Sequence, residues 1–201
     1  MSLLAIQTSI NQKDSATRAM IDAFASAYAE RSGNTDIVKH DFATKPPTHI
    51  PSELMAVQFG APPAPDGAQA AAVADNFINE LEKATVIAIG APMYNFTIPS
   101  TLKAWVDHIV RLGRTFAYID GAPTGLLPPG KKAFVMTASG GRYSDGPLKQ
   151  IDFVEPYLRF VFGFVGIKDV QFIRAEEQAF PSGVEERKTA IERAGSLARA
   201  L

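Results

Sequence analysis

Short runs of apolar, β-branched residues alternate with longer segments of helical periodicity along this chain, and this alternation constrains the fold more than any other feature. The strand-like runs cover residues 3–8, 36–41, 85–90, 131–137 and 170–174. The helix-like segments cover residues 15–31, 69–83, 100–112 and 156–165, and a last helix begins at Ser182 or Gly183. Strands separated by helices form right-handed crossovers, which place the strands parallel and the helices on both faces of the sheet. The pattern therefore predicts an α/β fold with a doubly wound, five-stranded parallel sheet.

The length of the chain, 201 residues, is typical of one domain, and a domain of this size buries roughly 70% of its extended surface. We therefore expect a single domain over residues 1–201. Five strands favour the flavodoxin-like order 2-1-3-4-5 over the larger six-stranded dinucleotide-binding fold. In that order the loops after strands 1, 3 and 4 meet at the carboxyl edge of the sheet, where open α/β sheets bind their ligands.

Composition argues against several classes of function. The 20 basic and 21 acidic side chains leave a formal charge of −1, so no strong field favours nucleic acid or an anionic membrane. The chain has no cysteine, which excludes disulfides and thiolate sites, and no His, Asp and Glu cluster has metal-ligand spacing. It shows neither a signal-peptide pattern nor an apolar run of about 18 residues. We expect a soluble, cytoplasmic protein without a bound metal.

The loop after the third strand contains the most informative residues, Met93, Tyr94, Asn95 and Phe96. Aromatic faces at the end of a buried strand can stack on a flat ligand, and the Asn95 amide can donate and accept hydrogen bonds at a polar ring edge. A flavin fits these requirements. The alternative is that Met93 and Phe96 are core residues and Tyr94 is a surface tyrosine.

The loop after the first strand leads into a helix through Ser9, Ser15 and Thr17. Unpaired N–H groups and the positive end of the helix dipole favour an anion there, and the hydroxyls can add hydrogen bonds to a phosphate. The loop has no glycine, so it is neither a Walker A loop nor a G-x-G-x-x-G fingerprint. By itself the loop favours the simpler alternative, in which Ser15 or Asp14 only caps the helix.

The loop after the fourth strand contains Ser139, Gly140 and Gly141. Adjacent glycines allow the backbone to approach a planar ligand and to adopt positive φ angles, although a Gly-Gly pair alone favours a plain tight turn. Thr137 occupies the place of the first glycine in a G-x-S-x-G elbow, and no histidine is placed to act as a base. We therefore expect no serine nucleophile.

The segment Pro92-Met93-Tyr94-Asn95-Phe96, with the helix that follows it, resembles the FMN-dependent NADH-azoreductases. Gly140-Gly141 and the segment over residues 163–167 are also similar, and the similarity extends from the first strand to about Glu176. The resemblance implies a flavodoxin-like homodimer with one tightly bound FMN per subunit, each flavin near the subunit interface. It also implies no catalytic side chain, because the flavin performs the chemistry.

The resemblance assigns roles to individual residues. The residues that it implies for the FMN phosphate are Ser9, Ser15, Ala16 and Thr17. The residues that it implies around the isoalloxazine ring are Pro92, Met93, Tyr94, Asn95, Phe96, Ala138, Ser139, Gly140 and Gly141. Tyr118 and Phe164 match aromatic positions that flank the substrate, one from each subunit. Two positions depart from the family: Ala138-Ser139 replaces the usual Ser-Arg before the glycine pair, and Ala16 has no side-chain donor.

The implied activity is the reduction of quinones and aromatic azo compounds by NADH or NADPH. In a ping-pong cycle, the nicotinamide passes a hydride to FMN and leaves, and a flat aromatic acceptor then takes two electrons at the same site. One alternative is an FAD-dependent NAD(P)H quinone reductase. Another is a flavodoxin-type electron carrier without its own nicotinamide site. Such carriers are usually strongly acidic, and the formal charge of −1 argues against that role.

Overall fold

The structure is a computed structural model that describes residues 2–33 and 36–201. Its strands are β1 (Leu3–Gln7), β2 (Ile37–Asp41), β3 (Val86–Pro92), β4 (Phe116–Ile119), β5 (Ala122–Gly125), β6 (Lys132–Ala138) and β7 (Asp169–Ala175). Its helices are α1 (Ala16–Ser32), α2 (Ser52–Gln58), α3 (Ala68–Lys83), α4 (Ser100–Ile109), α5 (Glu155–Val165) and α6 (Gly183–Arg199). Single 3₁₀ segments cover Pro65–Gly67 and Pro147–Ile151.

The main sheet has five parallel strands in the order β2-β1-β3-β6-β7. This is the predicted order 2-1-3-4-5 once the hairpin of β4 and β5 is left out, so the predicted fold class is confirmed. The antiparallel hairpin itself was not predicted. Its turn is Asp120-Gly121, with φ angles of +51° and +80°. Asp-Gly between two short strands is a strong hairpin signal, but this segment was interpreted as an irregular, turn-rich connection.

Both faces of the sheet are covered because side chains alternate along each strand. In β1, Leu3 and Ala5 belong to the core between the sheet and helices α1 and α6. Leu4 and Ile6 belong to the core on the opposite face, beneath α3, α4 and α5. Trp105 of α4 is fully buried in that second core. Trp105 is therefore a core residue of the helix.

The carboxyl ends of the strands are aligned at one edge of the sheet. Gln7 pairs with Gly90, Pro92 pairs with Ala138, and Ala138 pairs with Ala175. The loops that follow β1, β3, β6 and β7 therefore leave the sheet side by side. This alignment brings together residues that are far apart in the sequence.

The fourth helix ends earlier than the expected range 100–112. The backbone of Val110 is extended, with φ −84° and ψ 94°, which ends α4 and turns the chain away from the helix axis. Arg111 consequently pairs with Asp75 on α3. Asp107 and Arg111, four residues apart, do not form a helical ion pair, because the last turn that would align these two side chains does not form.

Candidate functional site

The loops at the carboxyl edge of the sheet enclose a cleft of about 510 Å³. The predicted cofactor-binding residues that line it are Ser9, Ser15, Ala16, Pro92, Met93, Tyr94, Ala138, Ser139 and Gly140. The predicted residues Thr17, Asn95, Phe96 and Gly141 do not line it. Residues that line it without having been predicted are Asn11, Asp14, Gln178, Phe180, Gly183, Val184 and Arg187. All three predicted loops thus meet in one concave site, with a fourth wall from the segment after β7.

The start of α1 forms one end of the cleft. Ser15 is the N-cap of this helix, and its Oγ accepts a hydrogen bond from the Arg18 N–H at 3.3 Å. The capping interpretation is therefore confirmed. Capping does not exclude anion binding, because the first N–H groups of a helix have no acceptor within it and lie at its positive end. Thr17 is fully buried, with its hydroxyl 3.1 Å from Ser15 Oγ. The Thr17 hydroxyl is thus directed to Ser15 and buried, whereas Ala16 lines the cleft.

The loop before α1 is held by its own side chains. Asn11 Oδ1 accepts hydrogen bonds from the N–H groups of Lys13 at 3.2 Å and Asp14 at 3.0 Å. The Asn11 amide also donates to the carbonyl of Asp14 at 2.6 Å. An Asn side chain that binds nearby backbone groups stabilises a turn. The loop thus reaches the helix in one defined conformation.

Arg18 fixes the other end of this loop. Its Nε and Nη2 donate to the Ser9 carbonyl at 3.1 and 2.7 Å, while Nη1 and Nη2 donate to the Asp41 carboxylate at 2.9 and 2.8 Å. The hydrogen bond from Arg18 lowers the pKa of Asp41 below its usual value, and the same bond raises the pKa of Arg18. Sequence reasoning missed both residues, because the tertiary fold alone brings the end of β2 beside α1.

Tyr94 joins the second predicted loop to the first. Its hydroxyl accepts a hydrogen bond from the Ile10 N–H at 3.1 Å and lies 3.5 Å from Ser9 Oγ. Tyr94 also lines the cleft. The alternative interpretation of Tyr94 as an unattached surface tyrosine is therefore wrong.

Asn95 and Phe96 form a tight reversal between Tyr94 and Thr97. The N–H of Tyr94 donates to the Thr97 carbonyl at 2.9 Å, and the N–H of Thr97 donates back at 3.2 Å. Both central residues have positive φ, +49° at Asn95 and +71° at Phe96, as a type I′ turn requires. A bulky residue with positive φ is uncommon, and such strain clusters at functional sites.

The same turn separates the cleft from a neighbouring pocket. Asn95 lines this second pocket together with Lys103 and Tyr157, while Phe96 is half exposed and its ring lies 6.4 Å from that of Tyr143. Burial raises the pKa of Tyr157 to about 12, so its phenol remains protonated at neutral pH. The Asn95 amide and the Phe96 ring are thus placed beside the main cleft and not inside it.

The glycine pair after β6 belongs to the third predicted loop. Neither Gly140 nor Gly141 has a positive φ, so the pair does not use the left-handed conformation that glycine allows. A Cβ atom on Gly140 would meet only Ala179 Cβ, at 3.6 Å, which is ordinary van der Waals contact. The protein itself therefore leaves room for a side chain there. Because Gly140 lines the cleft, it presents backbone and no side chain to that part of the site.

The segment after β7 forms the fourth wall. The Gln178 amide donates to the carbonyls of Glu176 and Gly183, both at 2.9 Å, which holds the turn into α6. Val184, an apolar residue near the start of α6, is 74% exposed and lines the cleft. Arg187, one turn further along α6, donates to the Asp14 carboxylate across the cleft. The register of β6 and β7 places this wall, and sequence periodicity carries no signal for it.

The two predicted substrate residues lie outside the cleft. Tyr118 and Phe164 belong to an aromatic cluster in which the ring of Phe116 lies 6.0 Å from Tyr118 and 4.8 Å from Phe164. Phe160 joins this cluster, 5.9 Å from Phe164. The side chains of Tyr118 and Phe160 are mostly exposed. Within one chain, these rings do not cover the site.

Two further classes of site do not occur in the part of the chain that the structure describes. No group of His, Asp and Glu residues there could hold a metal ion, and no described helix is both long and apolar enough to cross a membrane. Two of the three histidines have structural partners: His40 lies 2.6 Å from the Glu80 carboxylate, and the buried His108 lies 2.9 Å from the Thr48 carbonyl.

Comparison with known proteins agrees with this architecture. The chain matches the Flavodoxin_2 family, which has a flavodoxin-like fold, over residues 1–198. It is 42% identical over 190 residues to the FMN-dependent NADH:quinone oxidoreductase of Hyphomonas neptunium, covering 94% of this chain and 90% of the relative. With the protein of the same name from Herminiimonas arsenicoxydans it is 43% identical over 176 residues, covering 87% and 86%. A crystal structure of azoreductase from Bacillus anthracis strain Sterne superposes over the full length of both chains with a TM-score of 0.89 and 26% identity. The chain belongs to the Flavodoxin_2 family.

Proposed function

We propose that this protein is an FMN-dependent NADH:quinone oxidoreductase that also reduces aromatic azo compounds. One observation carries the proposal: a single cleft combines a helix N-terminus suited to a phosphate with aromatic and glycine walls suited to a flat ring. The names of the two relatives support FMN, NADH and a quinone as cofactor, donor and acceptor. The azoreductase structure supports azo compounds as further acceptors.

The residues of the cleft fit FMN. Ser9, Ser15 and the backbone at Ala16 would hold its phosphate at the positive end of α1. Met93 and Tyr94 on one side and Gly140 on the other would border its ring, and Gly140 presents no side chain there. When bound, FMN supplies the hydride chemistry, since the lining contains no histidine or cysteine. The protein contributes binding, orientation and exclusion of water.

We also propose an order in which the electron donor and the electron acceptor bind. Tyr94 and the segment after β7 line the same cleft, and we expect the donor and the acceptor to stack there on one face of the flavin. A donor and an acceptor that stack on the same face must therefore occupy it in turn, which corresponds to a ping-pong cycle. Stacking recognises any flat π-system, so we expect the protein to reduce a broad range of acceptors. The substituents on the acceptor ring should contribute little to its binding.

We further propose that the active form is a homodimer. Tyr118 and Phe160 expose large aromatic surfaces beside Phe164, and exposed apolar clusters mark interaction surfaces. In a dimer, Tyr118 and Phe164 of the partner subunit could flank the substrate, which the single chain does not achieve. We also propose one cofactor-binding domain over residues 1–201, located in the cytoplasm, where NADH is available.

The test is reconstitution followed by kinetics. Purified protein should bind FMN, turn yellow, and oxidise NADH in the presence of benzoquinone or methyl red, with parallel lines in double-reciprocal plots. A colourless protein without FMN-dependent NADH oxidation would overturn the proposal. Chromatography of the flavin released by heat distinguishes FMN from the alternative cofactor FAD. Turnover without any partner reductase excludes a simple electron carrier.

A further inference from the structure

The cleft contains one cationic side chain among the described residues that line it, Arg187. Its guanidinium donates to the Asp14 carboxylate, and Asp14 directly precedes Ser15, the N-cap of α1. The arginine of the last helix is therefore placed beside the end of the cleft where the first N–H groups of α1 lie. The sequence shows no pattern that connects residues 14 and 187.

We propose that Arg187 binds the phosphate of FMN directly and exchanges Asp14 for the phosphate when the cofactor enters. This inference rests on the proposed function, and it adds a residue that sets the preference for the phosphorylated flavin. Arg187 would be a cofactor-binding residue and not a catalytic one. Asp14 would hold the guanidinium in place while no phosphate is present.

The surroundings of the ion pair favour such an exchange. The Asp14 side chain is 79% exposed and that of Arg187 is 29% exposed. An ion pair with so exposed a carboxylate contributes little to stability, so its loss is easily offset. A phosphate monoester has a charge of about −1.5 to −2 at neutral pH and three acceptor oxygens. Arginine binds such a group with two parallel N–H donors.

The other cationic side chains near this end of the cleft either bind other groups or do not line the cleft. Arg18 uses its donors on the Ser9 carbonyl and the Asp41 carboxylate. The exposed Lys13 is not part of the cleft lining. Without Arg187, the phosphate would face the carboxylate of Asp14 and be neutralised by the helix end alone. The charge arrangement therefore assigns this role to Arg187.

The experiment measures the dissociation constants of FMN and riboflavin by flavin fluorescence in the cofactor-free protein, for the wild type and four variants. Arg187→Gln should weaken FMN binding about 10- to 100-fold, as expected for lost charge-assisted hydrogen bonds. It should change riboflavin binding by less than about 3-fold, because riboflavin has no phosphate. Arg193→Gln, an exposed residue of the same helix, is the matched control and should leave both constants unchanged.

The Asp14→Asn variant distinguishes phosphate binding by Arg187 from a purely structural role, in which the ion pair of Asp14 and Arg187 only stabilises the shape of the cleft. If Asp14 only competes with the phosphate, its neutralisation should tighten FMN binding by a few fold and leave riboflavin unaffected. A purely structural role predicts the opposite: Asp14→Asn and Arg187→Gln would weaken the binding of both flavins alike. That result would overturn the inference. Arg187→Lys keeps the charge but loses the two-donor geometry, so its dissociation constant for FMN should lie between those of the wild type and Arg187→Gln. This variant replaces Arg187→Gln in the test if Arg187→Gln does not fold.

The two proposals fail in different ways. Wild-type protein that binds neither flavin would contradict the proposed function itself. Wild-type protein that prefers FMN over riboflavin, with the same preference after Arg187→Gln, would contradict only the role of Arg187.

Discussion

Single side chains connect the loops of this cleft, and they do so through backbone groups. The hydroxyl of Tyr94 accepts from the Ile10 N–H, and the guanidinium of Arg18 binds the Ser9 carbonyl. These contacts fix the loop after β1 from two sides before any ligand is bound. A preorganised loop binds its ligand more tightly, because less conformational entropy is lost on binding.

Removal of the Arg18 guanidinium should destabilise the protein. Arg18 is largely buried, and its loss leaves the Ser9 carbonyl without this donor and the Asp41 carboxylate with the Ala43 N–H but without its charged partner. We expect Arg18→Gln to lower the free energy of unfolding by about 1–3 kcal/mol, measured by urea denaturation of the cofactor-free protein. Arg31→Gln, exposed near the end of the same helix, is the control. Equal effects of the two substitutions would contradict this role of Arg18.

The pair of Arg18 and Asp41 should also make stability depend on acid pH. The hydrogen bond from Arg18 lowers the pKa of Asp41 in the folded state. The pair therefore stabilises the protein at pH values above the pKa of Asp41 in the unfolded chain, about 3.9. This contribution is lost as the pH falls through the folded-state pKa. The stability difference between the wild type and Asp41→Asn should therefore be largest near pH 7 and shrink below about pH 4. Urea unfolding at pH 7, 5 and 3.5 measures it, and a constant difference would count against the assignment.

At the scale of secondary structure, the hairpin of β4 and β5 is attached to the end of α5 by direct backbone contact. A Cβ atom on Gly125 would lie 2.2 Å from the backbone nitrogen of Gly166, a distance that real structures do not tolerate. The Leu127 N–H continues the contact by donating to the Val165 carbonyl at 3.1 Å. This packing positions the aromatic cluster of Tyr118 and Phe164.

Two glycine substitutions in this region should have opposite effects. Gly125→Ala should lower the free energy of unfolding by about 3 kcal/mol or more, since backbone must move to admit the methyl group. Gly163→Ala, an exposed site in α5 with open space around the new Cβ, should raise it by about 1 kcal/mol through helix propensity. Thermal unfolding of both variants tests the prediction. A Gly125→Ala protein as stable as the wild type would show that the hairpin is not packed in this way.

At the scale of the whole molecule, helices α1 and α6 close one face of the sheet, while α3, α4 and α5 close the other. The exposed rings of Tyr118 and Phe160 lie on β4 and α5. The cofactor cleft opens at the carboxyl edge of the same sheet. A second subunit that covered these rings could also approach the cleft.

Polar substitutions in the aromatic cluster should therefore weaken dimer formation. We expect the double variant Tyr118→Ser and Phe160→Ser to shift the protein from dimer to monomer, because it removes apolar surface that the dimer would bury. Light scattering coupled to size-exclusion chromatography measures the change, with Val73→Ser, an exposed apolar site on α3, as the control. A wild-type protein that is already monomeric at micromolar concentration would contradict the proposed dimer.

Much of the site could be predicted from the sequence, and the exceptions have physical reasons. Ser15, Met93 and Ala138 were found because each follows a strand with clear periodicity, and parallel strands end at a common edge. Phe96 and Asn95 were expected inside the cleft, but the positive φ angles of their turn place them beside it. Such a turn usually contains glycine, so its type could not be predicted from these two residues.

The sequence by itself determined the fold class, the strand order and the loops that form the cleft, because hydrophobic periodicity and chain connectivity are local properties that restrict the possible sheets. The tertiary structure alone decided which distant side chains meet at that cleft. Arg187 lies beside Asp14 and Arg18 lies beside Asp41 because β-strand register and helix packing act between segments far apart in the chain. A polar side chain carries no periodic signal of its partner, so these contacts follow only from the packed molecule.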